Sequence, residues 1–211
     1  MAIIANERGA NDAVQFDEIQ YLGFPFSISE TFQQRNTNSS IEASLTRVNE
    51  IQNLCVKHHK KLVVYVSMAF GNPYGDRWHA DIAIDWTQKL AALGIQIIAL
   101  SDTIGVANPT NINHLFGTLI PEFKHLEIGA HLHTTPNTWA EKVNAAYQSG
   151  CTRFDGAMNG FGGCPMATDK LTGNMATENL FQFFKDQKIE TGLDEKAFEI
   201  ALQQAGSVFK D

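Results

Sequence analysis

The sequence predicts an α/β chain of parallel β/α units, and three observations carry that prediction. Short apolar runs recur along the 211 residues, stretches of helical period separate them, and residues able to do chemistry fall where several successive runs end. Parallel strands packed under helices read as nearly continuous apolar runs, which is the pattern here. A doubly wound sheet and a barrel both fit that alternation. The chemistry at successive strand ends, together with the lack of a glycine-rich nucleotide loop, favours a (β/α)8 TIM barrel.

The strands are expected at Ala2–Ala5, Ile19–Phe24, Leu62–Phe70, Ile95–Leu100, Leu126–His131 and Arg153–Ala157. Ser40–Val56 reads as a helix because Ile41, Leu45, Val48, Ile51 and Leu54 share one face and Ser39 or Ser40 can cap it. His79–Leu93 places Ile82, Trp86, Leu90 and Leu93 together and stops at Gly94. Pro136 sits at the favoured first-turn position of a helix over Asn137–Ser149, closed by Gly150. A helical tail is expected over Thr177–Lys185 and Asp194–Gln204. A complete barrel has eight strands and typically about 250 residues, so about six strands make it incomplete. The first strand starts almost at Met1, which puts the expected shortfall of roughly two β/α units at the N-terminal side. Residues 1–211 read as one partial barrel domain with C-terminal helices from about 177.

Composition excludes several function classes. A net charge of -7 argues against nucleic acid or an anionic membrane as partner. No segment approaches the roughly 20 apolar residues of a membrane span, and the start lacks the pattern of a signal peptide. Three cysteines, Cys55, Cys151 and Cys164, follow no disulfide or zinc spacing and suggest reduced thiols in a cytoplasmic compartment.

Three segments carry candidate chemistry. In LEIGAHLHTTPN, His131 and His133 stand two apart at a strand end, so their side chains share a side and suit a divalent metal. An H-x-H pair alone reads equally well as two ordinary polar histidines. In ALSDTIGVANPT, Asp102 follows an apolar strand and either serves the site or caps the next turn. The third segment, FDGAMNGFGGCPMATDKLTGNMATEN, holds Gly160, Gly162 and Gly163, which let backbone approach a ligand, with Cys164 inside the same loop. Asn174 either offers an oxygen to a hard cation or caps the following helix. Cys55 and Cys151 read as core, and His58, His59, His79, His114 and His125 as surface residues.

Together GGCP, TGNMATE, SDTIG and HLH resemble the hydroxymethylglutaryl-CoA lyase family of DRE-TIM metallolyases. The likeness extends back through GFPFSISETFQQRNTNSSIEASLTR and VVYVSMAFGNPYGDR and covers nearly the whole chain in order. The resemblance implies His131, His133 and Asn174 as ligands of Mg²⁺ or Mn²⁺, Cys164 as a loop acid/base and Asp102 as an aspartate near the substrate. It implies, more loosely, Tyr65 and Asn36 or Asn38 in the pocket wall, beside Gly162 and Gly163. The implied reaction cleaves a 3-hydroxy-3-methylglutaryl-CoA carbon–carbon bond to give acetyl-CoA and acetoacetate, as in leucine degradation and ketone body formation. An acyl-CoA is the implied partner, and a homodimer is among the assemblies it allows.

The sequence also departs from the family pattern. The family's opening Asp-Arg-Asp-Gly motif, source of a further metal ligand and an oxyanion-stabilising arginine, does not occur, and Gly75–Trp78 (GDRW) stands elsewhere. A glutamate expected from the second strand is absent, and the Cys164–Asn174 stretch is one residue longer than is usual. Weak metal binding and negligible turnover are therefore expected of this chain, because one such stabilising donor alone is worth about 10²–10³ in rate. Two further readings stand beside the lyase. One is an acyl-CoA condensing synthase of the isopropylmalate or homocitrate type, which the loop cysteine disfavours. The other is an inactive fragment.

Overall fold

A computed structural model describes residues 1–165, 170 and 172–209. In chain order its elements are β1 (Ala2–Ile3), α1 (Glu7–Ala13), β2 (Tyr21–Ser27), α2 (Glu30–Thr37), α3 (Ile41–Lys57), β3 (Lys61–Ser67), α4 (Ala80–Ala92) and β4 (Ile97–Asp102). They continue with α5 (Pro109–Glu122), β5 (Glu127–Thr134), α6 (Trp139–Gln148), β6 (Arg153–Asp155), β7 (Gly173–Asn174), α7 (Thr177–Asp186) and α8 (Glu195–Val208).

Strands β1 to β6 are parallel and lie side by side in sequence order, while β7 pairs antiparallel with the end of β5. That order decides between the two architectures left open above. A doubly wound sheet reverses its strand order midway, whereas this one never does. Crossovers are right-handed in nearly all known cases, so an unreversed order keeps the helices on one face. The result is an open part-barrel whose opposite face is left uncovered by the crossover helices.

Packing separates the two faces cleanly. Leu22, Phe24, Phe26, Val64, Val66, Ile98, Leu100, Ala130 and Leu132 point toward the helices and join one large buried cluster. The alternating residues Val63, Tyr65, Ile97 and Ala99 form a second, small cluster on the other side. Cys55 and Cys151 are fully buried in the large cluster, where burial pushes their thiols up to about 11 and about 12, so both are packing residues.

Local signals explain most helix starts. Ser40 accepts from Ala43 N at 3.1 Å to open α3. Asn108 and Asn111 form a reciprocal capping box at α5, with Pro109 in the first turn. The proline expected to open the helix at 137 does not do so. That helix begins at Trp139, and Pro136 lies in a turn closed by Thr138 Oγ1 accepting from Thr135 N at 2.9 Å. Asp76, of the GDRW segment, accepts from Ser29 Oγ (2.5 Å), Thr31 N (3.0 Å) and Thr31 Oγ1 (2.8 Å). These bonds hold its carboxyl below the usual range and pin the start of α2.

Candidate active site

The register of the parallel strands sets side chains in rows across the face that the crossover helices leave uncovered. Ser101 is opposite His131, and His131 is opposite Asp155; Ser67 extends the row one strand further. The row beneath holds Tyr65, Ala99, Gly129 and Arg153. Gly129 leaves room for the Arg153 side chain, because a Cβ at that position would come within 2.7 Å of Arg153 Cδ. Two residues beyond the upper row, Thr103 and His133 continue the same face.

Of these, Tyr65, Ser67, Ser101, Thr103, His131, His133 and Asp155 border a cavity of about 560 Å³ at the C-terminal ends of the strands, closed on one side by Leu180 of α7. Its polar atoms are unusually poor in partners. The Nδ1 atoms of His131 and His133, Ser101 Oγ and Asp155 Oδ2 are all buried without a hydrogen bond among the described residues. Native proteins leave few such groups, so several around one cavity mark a place where a ligand completes the bonding.

Electrostatics agrees. Burial pulls both imidazoles down to about 4, the ring of His131 adding to the effect at His133, so both stay neutral with lone pairs available. The two rings meet edge to face with centroids 5.4 Å apart, and Tyr65 packs against His131 at 5.3 Å. Asp155 Oδ2 lies 3.9 Å from His131 Nδ1. Burial raises the Asp155 carboxyl, with Arg153 opposing, and burial followed by the Asp155 charge raises the Tyr65 phenol.

Asn174 stands directly opposite His133 in the β5–β7 pair, which places the two side chains on one face at neighbouring positions. Its Nδ2 donates to the Phe161 carbonyl at 2.8 Å, which fixes the amide. Asn174 itself borders an adjoining cavity of about 300 Å³ with Thr134, Trp139 and Asn159. The donor set fits a divalent cation that accepts nitrogen and oxygen, with two neutral imidazoles and an amide oxygen beside one of them. No group of three or more His, Cys, Asp or Glu side chains assembles among the described residues.

Other expected site residues lie elsewhere. Asp102 faces the helices, not the cavity: it is fully buried, with Oδ2 2.7 Å from Lys142 Nζ and Oδ1 accepting from Ala107 N at 2.9 Å. Strand alternation is the reason, since Ser101 and Thr103 on either side take the cavity face. Asn36 is exposed on α2, and Asn38 caps that helix in the left-handed region, φ 50°, accepting from Gln34 Nε2. Neither reaches the cavity. Gly162 (φ 82°) and Gly163 (φ 151°) serve close packing of loop on strand: Gly162 O accepts from Asn174 N, and a Cβ on Gly163 would sit 3.3 Å from Gly173 Cα. Cys164 is half-buried against the large apolar cluster and does not border the cavity. Met166–Asp169 and Leu171, within the lengthened Cys164–Asn174 stretch, lie outside the described residues.

Asp155, Ser67, Ser101 and Thr103 are cavity residues that motif reading passed over. Only the strand pairing reveals them: once His131 is placed in the sheet, its strand neighbours follow.

The HMGL-like family model matches residues 1–203. Hydroxymethylglutaryl-CoA lyase YngG of Bacillus subtilis is 32% identical over 192 residues, 91% of this chain and 64% of that protein. The 3-hydroxy-3-isohexenylglutaryl-CoA/hydroxymethylglutaryl-CoA lyase of Pseudomonas aeruginosa is 32% identical over 209 residues, 98% of this chain and 68% of its own length. The crystal structure of the Bacillus subtilis HMG-CoA lyase superposes with a TM-score of 0.89 at 30% identity, covering 98% of this chain and 68% of that one. The chain thus spans a little under two thirds of the length of YngG.

Proposed function

The chain belongs to the HMGL-like family, and from that premise we propose that it acts on 3-hydroxy-3-methylglutaryl-CoA, breaking the bond between C2 and C3 to give acetyl-CoA and acetoacetate. Residues 1–211 form one lyase unit in this reading, with α7 and α8 as its C-terminal part. The observation that carries it is the pair of neutral imidazoles, His131 and His133, whose Nδ1 atoms lack partners beside an unpartnered Asp155 oxygen on one cavity.

His131, His133 and the Asn174 oxygen would hold Mg²⁺ or Mn²⁺. Such an ion, when bound, supplies Lewis-acid polarisation of the substrate's hydroxyl and carboxylate oxygens. Asp155 is the one carboxylate bordering the cavity among the described residues, and its raised pKa suits it to accept the proton leaving the 3-hydroxyl. As C3 becomes a ketone, the C2–C3 electron pair passes to C2 and leaves the enolate of acetyl-CoA, which needs one proton. Cys164, or a water it positions, returns that proton; this assignment rests on the family likeness, since the thiol lies outside the cavity lining. Tyr65 and the apolar side chains around it keep water from the reacting carbons.

Incubating the chain with the thioester and Mn²⁺ or Mg²⁺ tests the reading. Acetoacetate and acetyl-CoA should form in equal amounts. A chelator should stop their formation. Turnover of a 2-oxo acid with acetyl-CoA, and none of the thioester, would move the chain to the condensing synthases.

A further inference from the structure

Lys142 lies within α6 yet is almost wholly buried, which a lysine tolerates only when its charge is paired. Its Nζ meets Asp102 Oδ2 at 2.7 Å, the Gly105 carbonyl at 3.0 Å and the His133 carbonyl at 2.9 Å. An ammonium has three donors, and here all three are used. The acceptors come from the end of β4, the turn after it, and the residue of β5 whose ring borders the cavity. Asp102 extends the hold by accepting from Ala107 N at 2.9 Å.

The pairing of β4 with β5 ends at Asp102 opposite Leu132, one residue short of His133. The ladder therefore supplies no partner for the His133 carbonyl, and the lysine takes that place. An apolar pair of similar volume would pack as stably as a buried ion pair, so stability alone does not account for it. What the charges add is direction, since they fix one backbone carbonyl against one turn.

The geometry points to Lys142 as a positioning residue for His133, clamping its backbone so that the imidazole is held toward the cavity and in step with Ser101 and Thr103 of the neighbouring strand. The inference rests on the reading that His133 helps to hold a cation.

The test follows histidine ring resonances by NMR while Mn²⁺ is added, in the wild-type chain, in Lys142→Met, and in the double variant Asp102→Asn/Lys142→Met. Unfolding midpoints are measured alongside. In the wild type, Mn²⁺ should broaden His131 and His133 first. In both variants the His133 resonance should move, and the Mn²⁺ concentration for half-broadening should rise about tenfold to a hundredfold, the usual cost of losing a group that orients a ligand. The unfolding midpoint should fall in Lys142→Met and recover in the double variant, which buries no unpaired charge, while the Mn²⁺ response does not recover. Recovery of both in the double variant would reduce Lys142 to a structural residue and overturn the proposal. If Mn²⁺ leaves the wild-type rings untouched, the cation reading fails by itself. The clamp is then judged on the His133 resonance, and an unmoved resonance in the double variant overturns it.

Discussion

The two faces of β4 and β5 treat buried polar groups in opposite ways. On the helix side, Asp102 and Lys142 close a network in which the ammonium has three acceptors and both carboxylate oxygens are engaged. On the cavity side, a residue or two away along the same strands, Ser101 Oγ and the Nδ1 atoms of His131 and His133 have no partner. The unpartnered atoms are buried as well, so burial of an atom does not by itself distinguish structure from site. Satisfaction does: a closed network holds the protein in one shape, while an open one waits for something else to complete it.

The largest expected effect lies on the closed side. Asp102→Ala would leave the Lys142 ammonium buried without its counter-charge and should cost about 3–5 kcal/mol of stability, read from denaturant unfolding. A loss under about 1 kcal/mol would mean the network is not closed in solution.

On the open side, His131→Asn and His133→Asn should reverse that profile. Product formation from the thioester should fall by about 10²–10³. Stability at pH 8 should change by less than about 1 kcal/mol, because neither Nδ1 has a hydrogen bond to lose. Unchanged activity in either variant would separate the cavity from the chemistry.

Acid should sharpen the contrast further. Both imidazoles titrate near 6.5 when unfolded and at about 4 in the fold, so the unfolded chain binds the extra protons between those values. Their contribution to stability is fully present above pH 6.5 and is lost as pH falls toward 4, by up to about 1.4 kcal/mol per pH unit for each histidine. Unfolding followed from pH 7 to pH 4 should show that slope, and the asparagine variants should flatten it.

The smallest effect on stability belongs to a half-exposed ion pair. Arg153 meets Glu127 at 2.7 Å near the start of the strands, where the glutamate is half exposed. Glu127→Gln should shift the unfolding free energy by no more than about 1 kcal/mol.

Much of the architecture was legible in the residues. The six expected apolar runs overlap β1 to β6 with ends displaced by up to three residues, and the periods at 40–56 and 79–93 match α3 and α4 to within one residue. Helix α1, at seven residues, is too short to show a period, and the two-residue β7 exists only through its pairing with β5. The site was half legible. His131 and His133 stood out by spacing, and the structure puts both on one cavity. Asp102 misled because a parallel strand packed on both faces does not alternate polar with apolar, so its direction cannot be read from its neighbours. Lys142 was invisible for a related reason: a lysine within an amphipathic helix reads as solvent-facing until its three acceptors are seen. Asp155 ends a strand of three residues, too short for any pattern to point to it.

The cavity as a cation site is tested most directly by anomalous diffraction from crystals of this chain soaked in Mn²⁺. One strong peak should fall about 2 Å from an imidazole nitrogen of both His131 and His133, with the Asn174 oxygen close by. A soaked crystal with no peak there, or with manganese only at surface histidines such as His58 and His59, would contradict the account.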